Sequence, residues 1–170
     1  MNDQDLIELL RPGVPAAPGE WADLGSGAGA FTLALRELAP DGLIHAVDKD
    51  GSALERLREH ANGKLRLLRA DFTRPLQLAN LDGIVMANSL HFVRDKRPVL
   101  TLIRSYLKPR GRLILVEYDA DHGNPWVPYP ISYESWTRIA PDAGFVETRF
   151  LYRVPSRHLG AIYSALSLNP

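Results

Sequence analysis

The sequence predicts an α/β fold: an open twisted sheet, mostly parallel with an antiparallel last strand, and helices on both faces. Three observations predict it. Strand-like and helix-like runs alternate four or five times at spacings of roughly 20 to 30 residues, the pattern of a parallel sheet covered by helices. Residues 20–35 (EWADLGSGAGAFTLAL) read as a strand ending on an acid, three glycines at alternate positions, and then an apolar helix. After residue 119 the alternation stops, and two strand-like runs follow with little room for a helix between them. Such neighbours pair antiparallel.

The glycine segment organises the rest. Gly25, Gly27 and Gly29 let the chain turn sharply from strand to helix and let a ligand approach the backbone more closely than a Cβ would allow. Free N–H groups at the start of the helix then offer partners to an anionic group. Two ligand classes fit the same letters. Gly25-Ser26-Gly27-Ala28-Gly29-Ala30 satisfies the dinucleotide fingerprint G-x-G-x-x-G/A, with Asp48 about where an acid is wanted. Asp23 to Gly29 also satisfies D-x-G-x-G-x-G, a loop that holds S-adenosylmethionine.

In chain order, residues 3–10 form a short amphipathic helix, either a packing helix or a flap over the cofactor. Pro12, Gly13, Pro15, Pro18 and Gly19 make a stiff linker to the first strand, residues 20–24. The helix after the glycines buries Phe31, Leu33, Ala34, Leu35 and Leu38. A second strand, residues 43–48, ends on Asp48; Ser52 is placed to cap a helix over residues 53–60. A third strand, residues 64–70, leads to Asp71, and a fourth, residues 81–87, leads to Asn88 and His91. A helix through residues 99–107, a turn at Lys108-Pro-Arg-Gly111 and a buried strand over residues 112–117 follow. A proline-rich loop (119–131), a helix (132–140) and strands over 145–152 and 159–168 complete the chain.

Composition narrows the function classes. At 170 residues the chain reads as one domain, a helix and linker over 1–19 and a core over 20–170. Lys+Arg 20 against Asp+Glu 20 leaves no net charge, which argues against a strong nucleic-acid or anionic-membrane footprint. The absence of cysteine excludes disulfides, thiolate catalysis and cysteine-ligated zinc, and no metal site is expected. The first residues carry no basic region of a secretory signal, and no window reaches the ~18 apolar residues of a membrane span. A cytoplasmic protein is the expectation.

The pieces WADLGSGAGAF, HAVDKD, RADF, DGIVMANSLHFV and LKPRGRLILVEYD, in this order, resemble the class I S-adenosylmethionine-dependent methyltransferases. Within them the chain is similar to the group that includes the ubiquinone/menaquinone-biosynthesis type. The resemblance covers roughly residues 20–168 and implies a Rossmann-like fold. It implies that the loop of Gly25, Ser26, Gly27 and Gly29 wraps the methionine part of the cofactor, with Asn88 near the same end. Asp48 would accept both ribose hydroxyls, Asp71 and the backbone of Phe72 would take the adenine amino group, and Lys49 would line the adenine pocket. Asp23 would brace the loop through its N–H groups and balance a cationic ligand.

Methyl transfer from a sulfonium is an in-line displacement, so positioning supplies much of the rate, and a base is needed only where the acceptor must lose a proton. His91, Glu117, Tyr118, Asp119 and His122 are candidates at the mouth, with His91 the first choice for a substrate-facing residue; no catalytic residue is assigned. Tyr118, Trp126 and Tyr129 are expected near the acceptor, the last two on a loop that is a wall, a lid or a packing strap. Asn88-Ser-Leu-His91 stands where amino-methylating nucleic-acid enzymes carry N-P-P-Y. A small-molecule acceptor is therefore expected. Its pocket is shallow, completed by a second subunit as in a homodimer, or open to a partner protein. The alternatives are an NAD(P)-dependent oxidoreductase, disfavoured by Asp23 and the antiparallel ending, and a non-catalytic cofactor-binding or partner subunit.

Overall fold

The computed structural model describes residues 1–170. Seven strands form one sheet: β1 (Glu20–Leu24), β2 (Leu43–Asp48), β3 (Leu65–Arg69), β4 (Leu81–Ala87), β5 (Leu107–Tyr118), β6 (Val146–Pro155) and β7 (Ala161–Leu168). Their spatial order is β3-β2-β1-β4-β5-β7-β6. The first five run parallel to their neighbours. Only β7, inserted between β5 and β6, runs antiparallel to both, as expected from the short connection before it. The strand order reverses between β1 and β4, and in open α/β sheets the carboxyl ends at such a switch point are where ligands lie.

Alternation along the central strands feeds two cores, one on each face. Trp21, Ile44, Ala46, Val85 and Ile114 point to one side, where α1 (Asp3–Leu10) and α2 (Ala30–Leu38) cover them. Ala22, Leu24, Val47, Ile84 and Leu113 point to the other, under α4 (Lys96–Tyr106) and α5 (Tyr133–Asp142). Helix α1 is fixed at its start by a capping box between Asn2 and Asp5 and buries Leu9 and Leu10 completely. It is thus a packing helix, and none of its residues reaches the cleft at the strand ends.

Three local expectations are corrected. The helix expected over residues 53–60 is a single turn, α3 (Gly51–Glu55), followed by a 3-10 turn at Arg58–His60. Its cap is Asp50, not Ser52: one Asp50 carboxylate oxygen accepts from the Ser52 and Ala53 N–H groups and from the Ser52 hydroxyl. The expected turn at residues 108–111 lies inside β5, which extends from Leu107 with a register shift against β4 and a left-handed Arg110 (φ 62°).

At the heart of the sheet Trp21 on β1 stands beside Gly83 on β4, its register partner. A Cβ at Gly83 would meet the Trp21 ring at 2.2 Å, so the indole occupies the space that a side chain there would need. Gly83→Ala should therefore destabilise the fold by about 1–3 kcal/mol through overpacking. Urea unfolding measures this, and an unchanged midpoint would show that the indole has room to move.

Candidate active site

The site is built by the segments that leave β1, β2, β3 and β4 at their carboxyl ends. After Leu24 the chain turns at Gly25, whose φ of 82° favours glycine and whose missing Cβ would fall 2.4 Å from the Ser89 Cβ. Ser89 closes this crossing by donating its hydroxyl proton to the Leu24 carbonyl at 2.7 Å. The N–H groups of Gly25 and Ser26 both donate to the Val47 carbonyl, and the Gly27 N–H donates to Asp48 Oδ2 at 2.8 Å. The N–H groups at the start of the loop are thus held by β2. Gly27 (φ 53°) faces open space, with nothing within 4 Å of where its Cβ would stand.

Asp48 holds this arrangement together. Its Oδ1 accepts from the Asp50 N–H at 2.8 Å while Oδ2 takes Gly27. Each carboxylate oxygen keeps a further lone pair for a ligand hydroxyl. Asp71 forms a turn with Thr73: its Oδ1 accepts the Thr73 N–H at 2.9 Å and hydroxyl at 2.7 Å. Those bonds, the Thr73 hydroxyl first, hold its carboxyl below the ordinary range. Its other oxygen is free. Asn88 adopts a left-handed backbone (φ 51°), and its Oδ1 is buried without a partner. Gly25, Gly27, Asp48, Lys49, Asp71, Phe72 and Asn88 all line one cleft of about 450 Å³, a volume suited to a small ligand.

Asp23 and Ser26 lie behind this wall. Asp23 does not brace the loop N–H groups, as the sequence suggested; Oδ2 accepts the Thr32 hydroxyl at 2.7 Å, and Oδ1 is buried with no partner. Asp48 performs the bracing instead. Burial raises the Asp23 carboxyl to about 6, against the Thr32 hydrogen bond and with a smaller push from Asp48. The Ser26 hydroxyl is likewise buried and unpaired.

On the acceptor side the structure separates the expected residues. His91, expected to face substrate, is 3% exposed. Its Nδ1 lies 2.8 Å from Glu117 Oε1, and Glu117 is fully buried at the end of β5. Its neighbour Phe92 lines the cleft and is 62% exposed. Tyr118 is half-buried, its ring 5.7 Å from that of His91, and burial raises its phenol. The 119–132 loop docks through the Tyr129 N–H on the His91 carbonyl (3.0 Å), and Lys96 Nζ donates to the Tyr129 and Val93 carbonyls. Tyr129 is partly exposed, while Trp126, at 79% exposure, stands clear of the cleft wall. Sequence reasoning overlooked Ser89, Thr32 and Phe92. Ser and Thr beside a glycine turn carry no local signal; Phe92, an aromatic just past a strand end, carries a weak one.

This is a nucleotide-type cleft at the switch point of an open α/β sheet. Residues 22–115 match the methyltransferase domain family, and the chain belongs to that family. It is 38% identical over 103 residues to a carboxy-S-adenosyl-L-methionine synthase of Hydrogenovibrio crunogenus, a match covering 56% of this chain and 41% of that relative. A putative methyltransferase of Bacillus halodurans shares the fold (TM-score 0.79, 14% identity), covering 98% of this chain and 99% of that one. Human N-acetylserotonin methyltransferase, solved with S-adenosylmethionine, superposes with TM-score 0.73 at 19% identity, over 99% of this chain and 52% of that one. S-adenosylmethionine is the cofactor, and the residues present fit it. The unpartnered oxygen of Asn88 is an acceptor awaiting a donor, and bare Gly27 leaves the cleft floor open.

The raised Asp23 carboxyl makes the ligand-free fold sensitive to pH. Its contribution to stability is fully present below the ordinary value of 3.8 and is lost as pH rises through about 6. Asp23→Asn removes this titration. Between pH 4 and 6 the variant should gain on wild type by roughly 2–3 kcal/mol, with a constant difference above. Urea unfolding of both proteins across that range tests this; a difference independent of pH would be inconsistent with a buried, protonatable Asp23.

Proposed function

We propose that the chain transfers a methyl group to a small-molecule acceptor by in-line displacement. The observation that most supports this is the Asp48 carboxylate, fixed between the Gly27 and Asp50 N–H groups in the same cleft as the unpartnered Asn88 oxygen. S-adenosylmethionine supplies a methyl group on positively charged sulfur. In this reading Asp48 receives the ribose hydroxyls, while Asp71 and the Phe72 backbone receive the adenine amino group beside Lys49. Gly25, Gly27 and Asn88 enclose the methionine end, Ser26 and Gly29 shape the loop behind them, and Asp23 supplies negative charge farther back. Positioning of the acceptor in line with the methyl group is then the main task left to the protein. Zero net charge favours a small acceptor over nucleic acid.

A melting series with S-adenosylhomocysteine, S-adenosylmethionine, NAD and NADP, on wild type and Asp48→Ala, tests the reading. At a hundred times its dissociation constant a ligand stabilises by about 2.7 kcal/mol, a rise of several degrees. The two adenosyl ligands should produce that rise, the nicotinamide dinucleotides should not, and Asp48→Ala should abolish it. A response to NAD or NADP alone would instead favour an oxidoreductase.

A further inference from the structure

We propose that two copies of this chain associate through the face that carries α1, each placing the exposed strip of its β6 on the acidic groove between the other's α1 and α2.

The groove supplies one half of the contact. Between α1 and α2 lies a hollow of about 210 Å³ floored by Leu6, Ile7, Leu33 and Ala34, with Asp3 and Glu37 in its wall. No cation lines it, and neither carboxylate has an ion-pair partner in the chain. Helix α1 also carries Asp5 and Glu8 and no cation, so this part of the surface is acidic although the whole chain is neutral. An apolar floor beside unpaired carboxylates calls for an occupant that is apolar and positively charged.

The same face supplies that occupant. Helix α1 packs against α2 and against β6, the last strand of the sheet. Paired residues of antiparallel strands share a face. Val146 and Arg149 pair with Leu168 and Leu166 of β7, which belong to the core under α1. Tyr152 pairs with Ser164, which lies two residues from Leu166 and so points the same way. All three β6 residues therefore point to the α1 side, yet they stay exposed, Val146 at 37% and Tyr152 at 39%. Arg149 has no ion-pair partner either.

A face with an acidic groove and a strip of cation and aromatic is complementary to itself. A two-fold axis beside α1 brings the groove of each copy onto the β6 strip of the other, and each contact is made twice. Tyr152 then covers the apolar floor, and Arg149 meets Asp3 and Glu37. Association through faces also suits the edge. Strand β6 has two register shifts and a left-handed Glu147 (φ 51°), features that keep an edge strand from extending its sheet into another copy. None of these residues lines the cofactor cleft, so the contact does not use it.

Sedimentation velocity of the full chain over a concentration series at low salt tests the proposal. Wild type should form a dimer that weakens as salt is added. Two variants reverse the charges: Arg149→Glu, and Glu37→Lys combined with Asp3→Asn. Each sets like charges against one another in both contacts and should weaken dimerisation by about tenfold or more. Mixed in equal amounts, the two variants should form a heterodimer, because each contact then joins opposite charges again. Tyr152→Ser should also weaken the wild-type dimer, by about tenfold. The reversed positions are exposed, so melting temperatures measured on dilute protein should stay close to wild type and show that the variants fold. A wild type that remains monomeric at every concentration overturns the proposal. So does a dimer indifferent to both charge reversals, or a mixture of the two variants that fails to associate.

Discussion

The turn after β1 and the turn after β4 cross with no space for a Cβ between them, and the site depends on that contact. Gly25 faces the Ser89 side chain directly, and the Ser89 hydroxyl returns to the Leu24 carbonyl. One hydrogen bond and one missing methyl group thus hold two segments that arrive from strands remote in sequence. The glycine loop is held on its other side by β2, through the Val47 carbonyl and the Asp48 carboxylate. Moving any one of these three strands would displace the loop.

The two halves of the site are built differently. On the cofactor side each acid is held by backbone: Asp48 by two N–H groups and Asp71 by its own turn. Such groups are preorganised, so little ordering remains to be done when a ligand arrives. The acceptor side is a 3-10 turn, Leu90–Phe92, and the 119–132 loop held by Tyr129 and Lys96. Phe92, Trp126 and Tyr129 are exposed there. Changes there would leave the hydrogen bonds to Asp48 undisturbed.

Local patterns were legible in the sequence, and partnerships across the fold were not. Glycines at alternate positions, an acid at a strand end and the apolar run 112–117 each announce their structure, because a turn or a buried strand constrains neighbouring residues. The fourth strand and the first helix accordingly fall where they were expected. The cap at Asp50 was misassigned by two residues because Asp and Ser are both good caps and stand close together. The bracing role given to Asp23 belongs to Asp48, 25 positions later, which only the parallel pairing of β1 with β2 brings alongside. The burial of His91, expected to face substrate, was not legible because its partner, Glu117, lies 26 residues away on another strand. A charged residue ending the most apolar strand was the available clue.

The buried Asp23 gives loading of the site a further consequence. With its carboxyl near 6, an appreciable share of empty molecules carry a proton there in mildly acidic solution. In the methyl-transfer reading, a positive ligand drawn to the loop would compete with that proton, and its affinity would weaken as the solution is acidified.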